Sequence, residues 1–301
     1  MNDKGKAMVM ASFLGDSLAL GAHWIYDTDQ IEETFGLIDA LLKPGLDSYH
    51  PTKEKGDFTH LGDQTFVLLE SLAAQNGFDL DDFSVSWQTL FRDYDGYFDK
   101  ATKATLSGYA TGKSALDAGS TSEELAGAAR VAPLVFYEQN DVEKLVHDAR
   151  FQTIMTHHSP ICLECADFFA RVGWMVLKGT PPVEAMKKAS HERLDIPAIS
   201  EWVQAGIESK EMDTIPAISK LGQDCSSRSA FPSVVHLISR YENDLKGALI
   251  QCVMAGGDSA ARGLLVGMVL GAHLGTESLP EQWLSGLKKR ERIEELLNRK
   301  Q

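Results

Sequence analysis

At 301 residues, with 44% hydrophobic and 24% charged side chains, the chain has an ordinary globular composition and enough length for a sizeable core. Its formal charge of −14 argues against binding a nucleic-acid backbone, which needs a basic face. The longest apolar run, GLLVGMVLGAHLG, falls short of the roughly 20 residues a membrane-spanning helix needs.

Helical periodicity dominates from the start. KAMVMASFLGDSLAL carries Ala7, Ala11, Gly15 and Ala19 at a spacing of four, a small-residue stripe suited to close packing. The N-terminal segment has no small-residue cleavage site after a clean apolar core, so no export signal is read there. Residues 40–62 are rich in turn formers and long enough to be a functional loop. QTFVLLESLAAQ and DDFSVSWQTLFRDY then read as amphipathic helices, the second with an acidic start. A second soft stretch covers 107–123. GAARVAPL places Arg130 on an otherwise apolar helix, where a structural role is expected.

Helices are expected next in DVEKLVHDARFQTIM, PICLECADFFARVGWMVLKG, PPVEAMKKAS, AISEWVQAGIES, FPSVVHLISRY and DLKGALIQCVM. AGGDSAARGLLVGMVLGAHLG carries Gly263, Gly267, Gly271 and Gly275, a second stripe. Each glycine costs a helix roughly 1 kcal/mol relative to alanine, so the stripe implies a crowded central position. PEQWLSGLKKRERIEELLNRK reads as a charged, exposed closing helix. Alternating β-branched runs are nearly absent, and no linker or repeat interrupts the chain. The expectation is one compact all-α domain over residues 1–301.

Two acidic elements stand out, Asp63 in LGDQT and Asp258 in GGDS, each placed just before an apolar helix. Each could simply cap its helix. Together, beside long polar loops, they raise a second reading in which facing helix starts bring carboxylates around a hard cation such as Mg²⁺. GDSLALGAHWIYD adds Asp16 and His23, with Trp24 expected in the core. In THHSP, one histidine at most is expected to face a site and the other the surface. Cys162 and Cys165 form a CxxC without the context of a redox centre, and ordinary core cysteines are expected. Four cysteines make no disulfide framework, so a reducing cytoplasm is the expected compartment.

Taken in order, GDSLALGAHW, GDQT, GAARVAPL, THHSP and AGGDSAARGLLVGMVLGAHLG resemble the ADP-ribosylglycohydrolase superfamily, most closely the branch that includes the J1 crystallins. The resemblance implies an all-α single-domain bundle. It also implies hydrolysis of an N- or O-glycosidic bond of an ADP-ribosyl group, on a small molecule or a protein, with two Mg²⁺ ions in a central cleft. The hydrolases carry Thr-Asp-Asp-Thr in the second motif and Gly-Gly-Asp-Thr-Asp-Thr/Ser in the last. Here these read Gly62, Asp63, Gln64, Thr65 and Gly256, Gly257, Asp258, Ser259, Ala260, Ala261. Asp63 and Asp258 match metal ligands and would be the catalytic pair. Gln64 can offer one amide oxygen, Ala260 offers none, and His23 stands near the position of a family glutamate.

Losing two of four aspartates removes much of the charge that holds two dications, so at most one weakly held Mg²⁺, or none, is expected. Arg262 is expected to point back to the cleft and supply the missing positive charge. Asp16, His23, Gln64, Thr65, His157, Ser259 and Arg262 are the expected substrate contacts. The expected function is a hydrolase of an ADP-ribosyl or related ribosyl substrate with a degraded metal site. The alternative is a non-catalytic nucleotide-sugar-binding or crystallin-like structural protein on the same fold.

Overall fold

The two small-residue stripes meet. In the computed structural model, which describes residues 2–192 and 195–300, the helix Asn2–Ala19 lies against the helix Ser259–Leu274 along its length. A Cβ built on Gly263 would stand 2.7 Å from the Gly15 carbonyl oxygen, and one on Gly271 would stand 2.6 Å from that of Ala7. One on Gly267 would stand 2.6 Å from the carbonyl carbon of Ala11. The bare backbones therefore touch, and this pair forms the centre of the molecule. Gly275 serves another purpose, ending the helix with a φ of 81°, a conformation that side chains rarely adopt.

Around this axis the described residues form seventeen α-helices and two 3₁₀ turns, with two isolated bridges in place of any sheet. The expected helices are found, among them His60–Gln75, Leu80–Arg92, Val142–Ile154 and Pro160–Leu177. Among the described residues, no helix is long and apolar enough to cross a membrane.

Three local expectations are corrected. Asp63 does not precede its helix: Thr59 is the cap, accepting from the Leu61 N–H at 3.1 Å, and Asp63 sits within the first turn of His60–Gln75. Arg130 is on no continuous helix, but joins two short ones, Ala126–Ala129 and Ala132–Tyr137. The closing segment is two helices, Glu281–Gly286 and Arg290–Asn298, and it is anchored rather than exposed. Trp283, Ile293, Leu296 and Leu297 are buried, and the Trp283 ring N–H donates to the Asp39 carbonyl at 2.7 Å.

Candidate functional site

The turn after the first helix is tied to the start of the glycine-striped helix. The Trp24 N–H donates to the Gly257 carbonyl at 3.0 Å, and the Gly257 N–H donates to the Ile25 carbonyl at 2.7 Å. Gly256 and Gly257 have φ of 70° and 69°, and a Cβ on Gly257 would meet the Gln223 backbone. That requirement explains the glycine pair. Trp24 also adopts a positive φ, 67°, a strained choice for a bulky residue. The strain is accommodated where the two segments exchange their bonds.

Asp258 caps the striped helix through the Ala261 N–H at 3.3 Å and faces the His23 ring, with Nε2 3.1 Å from its Oδ1. Burial opposes its charge, but the His23 bond and the nearby Arg262 guanidinium hold its carboxyl below the ordinary value. Since the carboxylate only accepts, His23 donates through Nε2 and accepts at Nδ1 from Nε2 of His50, 2.9 Å away. The rings of His23 and His50 meet edge to edge, because that contact accounts for most of the 5.2 Å between their centroids. Burial pushes both imidazoles down, so the chain Asp258–His23–His50 carries one negative charge at neutral pH. His60 completes the group, with Nε2 3.0 Å from Oδ2 of Asp99.

Asp63 takes different partners. The Lys53 ammonium and the Tyr94 hydroxyl, at 2.7 Å, share its Oδ2, and Lys289 lies 3.8 Å from Oδ1. Its neighbour Gln64 is equally committed. The amide oxygen accepts from Trp87 Nε1 at 2.7 Å and Arg130 Nη1 at 3.1 Å, while Nε2 donates to the His60 carbonyl. Thr65 donates back to the Leu61 carbonyl at 2.9 Å. Asp16 reaches across from the first helix to accept from the Thr59 N–H and hydroxyl and from the Gly62 N–H, welding the two helices. Burial raises its pKa to about 7.

The remaining expected contacts are interior groups. Arg262 is fully buried and donates to the carbonyls of Gln223 at 3.1 Å, Cys252 at 3.3 Å and Gly256, so it braces the Gly256–Gly257 turn. Ser259 is buried with its hydroxyl unpartnered. His157 is buried, its Nδ1 hydrogen-bonded with the Thr156 hydroxyl at 2.9 Å, while His158 is exposed. Burial, with the Arg130 guanidinium, lowers the His157 pKa to about 4. Arg130 itself binds Gln152, Gln64 and Thr156, a neutral network in place of an ion pair. Cys162 and Cys165 are buried free thiols, and burial pushes Cys162 up to about 12.

These donors do not fit Mg²⁺, which requires oxygen ligands and charge to offset its dehydration. The amide oxygen of Gln64 is spent, Ala260 offers nothing, and the carboxylate of Asp63 is held by an ammonium. The positive charge expected from Arg262 acts on Asp258, and at Asp63 it is supplied by Lys53 and Lys289.

Sequence reasoning missed His50, Lys53, His60, Tyr94 and Asp99. A signal was available: SYHPTKEKGDFTHLGDQT sets two histidines and two lysines immediately before the acidic motif. Above the histidines stand Trp24, Tyr49 and Tyr97. Tyr49 packs edge-on to Trp24 at 4.8 Å, and Tyr97 does so at 5.1 Å. Trp24 and Tyr97 are half-buried and Tyr49 is exposed. The two tyrosines, with Ser48, Thr52, Asp95 and Lys103, line a groove of about 460 Å³.

The chain is 23% identical to Crystallin J1A of Tripedalia cystophora, an alignment covering 94% of this chain and 91% of the crystallin. With Crystallin J1B of the same animal the identity is 24%, covering 95% and 92%. A solved structure described as an ADP-ribosylglycohydrolase-related protein complex superimposes with a TM-score of 0.80 at 24% identity, covering 99% of this chain and 96% of that one. The ADP-ribosylglycohydrolase family model matches residues 1–300, and the chain belongs to that family.

Proposed function

We propose that the chain binds an ADP-ribosyl or related ribosyl ligand, free or on a protein, without the Mg²⁺-assisted cleavage that the family resemblance implies. The observation that carries this reading is the engagement of Asp63 by Lys53 and Tyr94, beside an amide, Gln64, already bonded to Trp87 and Arg130. A carboxylate so held is a poor metal ligand and a poor base for water. The ligand class comes from family membership. It is supported by Tyr49, Tyr97 and Lys103, aromatic and basic side chains suited to a base or sugar and a phosphate, which line a groove within the size range of small-molecule sites.

Thermal unfolding with ADP-ribose, with and without Mg²⁺, tests this. ADP-ribose raises the melting temperature in metal-free buffer, and Tyr49→Ala or Tyr97→Ala removes the shift. Mg²⁺-dependent release of ADP-ribose from a model substrate would restore the hydrolase reading. Absence of any shift with a panel of nucleotide sugars would favour a structural role, as the likeness to the two crystallins suggests.

A further inference from the structure

Among the described residues, one set of metal-capable side chains converges: His23, His50 and His60 each offer a nitrogen within 4.8 Å of the others. All three are buried, with relative exposures of 3%, 0% and 1%. The Nδ1 of His50 and both ring nitrogens of His60 have no hydrogen-bond partner of acceptable geometry. Both nitrogens of His23 are bonded, but two buried imidazoles, His50 and His60, leave ring nitrogens unsatisfied, which is costly in a close-packed interior.

We propose that His23, His50 and His60 form a three-nitrogen site for a divalent transition metal of the zinc class, oriented by Asp258 and Asp99. The inference does not rest on the ribosyl reading. Neutral imidazoles suit Zn²⁺, Cu²⁺ and Ni²⁺, and they are poor ligands for Mg²⁺ or Ca²⁺. Metal-binding histidines commonly turn their far nitrogen to a carboxylate that fixes the ring and raises its basicity. Here His23 does so with Asp258 at 3.1 Å, and His60 lies with Nε2 3.0 Å from Asp99. Two carboxylates then balance the dication without touching it.

The geometry asks for little movement. Nitrogens on a tetrahedral Zn²⁺, each about 2.0–2.1 Å from the ion, stand roughly 3.4 Å apart. The 2.9 Å pair His23–His50 therefore opens slightly, and the wider separations close by ring rotation. An ion between them takes the place of the shared proton, which moves to the free Nδ1 of His50 by tautomer exchange. Three protein ligands leave a fourth position for water or a bound group.

The test uses the full chain, stripped with chelator and titrated with Zn²⁺, Co²⁺ or Mg²⁺, read by calorimetry and by the visible spectrum of Co²⁺. One Zn²⁺ or Co²⁺ binds per chain, with a tetrahedral Co²⁺ spectrum, and Mg²⁺ in excess does not compete. Asp99→Asn weakens Zn²⁺ binding roughly 10–100-fold, and His50→Ala weakens it further. Absence of stoichiometric binding, an octahedral Co²⁺ spectrum, or unchanged affinity in folded His50→Ala would each overturn the proposal. The parent spectrum decides the matter even if a variant does not fold.

Discussion

The contact between the two stripes is open to a direct test, because Gly267→Ala adds a single methyl group where backbone meets backbone. That methyl would lie 2.6 Å from the Ala11 carbonyl carbon, whereas ordinary contact begins at 3.4 Å. The Ala11 carbonyl oxygen lies nearer still, so the helices must part by more than the roughly 0.8 Å that the carbon alone demands, and a packed interior resists such movement. Neither Ala11 nor Ser12 can rotate out of the way, since the obstructing atoms are main chain. Overpacking costs about 1–3 kcal/mol, and this rigid site belongs at the upper end. Alanine returns about 1 kcal/mol of helix propensity, leaving a net loss of about 2 kcal/mol. For a chain of this length that lowers the melting temperature by about 3 °C. Gly45→Ala is the control: it is exposed, with nothing within 4 Å of its added Cβ, and should be neutral or slightly stabilising. Urea and thermal unfolding of both variants supply the comparison. A Gly267→Ala protein as stable as the parent would refute the close contact, and Gly267→Leu should be harsher still.

Lys53→Met and Asp63→Asn, alone and combined, should show a coupling of about 1–3 kcal/mol in a double-mutant cycle, and additive losses would mean that the pair is not formed. His157 is held neutral by burial with a pKa of about 4, against 6.5 when unfolded, so its contribution is complete above pH 6.5 and lost as pH falls towards 4. His157→Gln should therefore flatten the stability–pH slope in that window; an unchanged slope would show that His157 titrates normally. Trp283→Ala should cost about 3–5 kcal/mol, as for a fully buried aromatic, whereas an exposed closing helix would lose almost nothing. Cys162 and Cys165 should resist alkylation in the native protein and react after unfolding, and rapid native labelling would contradict their burial.

The parts of this molecule that can be read from sequence are those written as local period or motif. Gly263, Gly267 and Gly271 announce a bare helix face because spacing alone makes the stripe. Their partners Ala7, Ala11 and Gly15 announce another. That the two faces meet is a long-range fact that no window contains. Helices with a cap and an amphipathic pattern are legible for the same reason. The closing segment misleads because its charges outnumber the apolar residues, among them Trp283, Ile293, Leu296 and Leu297, that decide its burial. In the site, Asp63, Asp258 and His23 are legible through motif order. His50 and Lys53 lie in an aperiodic loop, and Lys289 reaches Asp63 from the far end of the chain. Partners of that kind depend on the path of the backbone.

Charge accounting links these observations to the chemistry. A buried carboxylate without a countercharge is strongly unfavourable, so each acidic position kept from the family motif needs a cation near it. At Asp63 the chain supplies ammonium groups from Lys53 and Lys289, and at Asp258 it supplies a histidine N–H within the field of Arg262. A cation tethered to the same chain acts at high effective concentration, so an incoming Mg²⁺ would have to shed water and also displace Lys53. Removing Lys53 alone would still leave Gln64 committed to Trp87 and Arg130, and Ala260 without a ligand atom. Several substitutions together would be needed to admit Mg²⁺. The nitrogen lone pairs beside Asp258 lie outside that lock: the Lys53 ammonium is spent on Asp63 and, although its field reaches His50, it donates no hydrogen bond to the histidines.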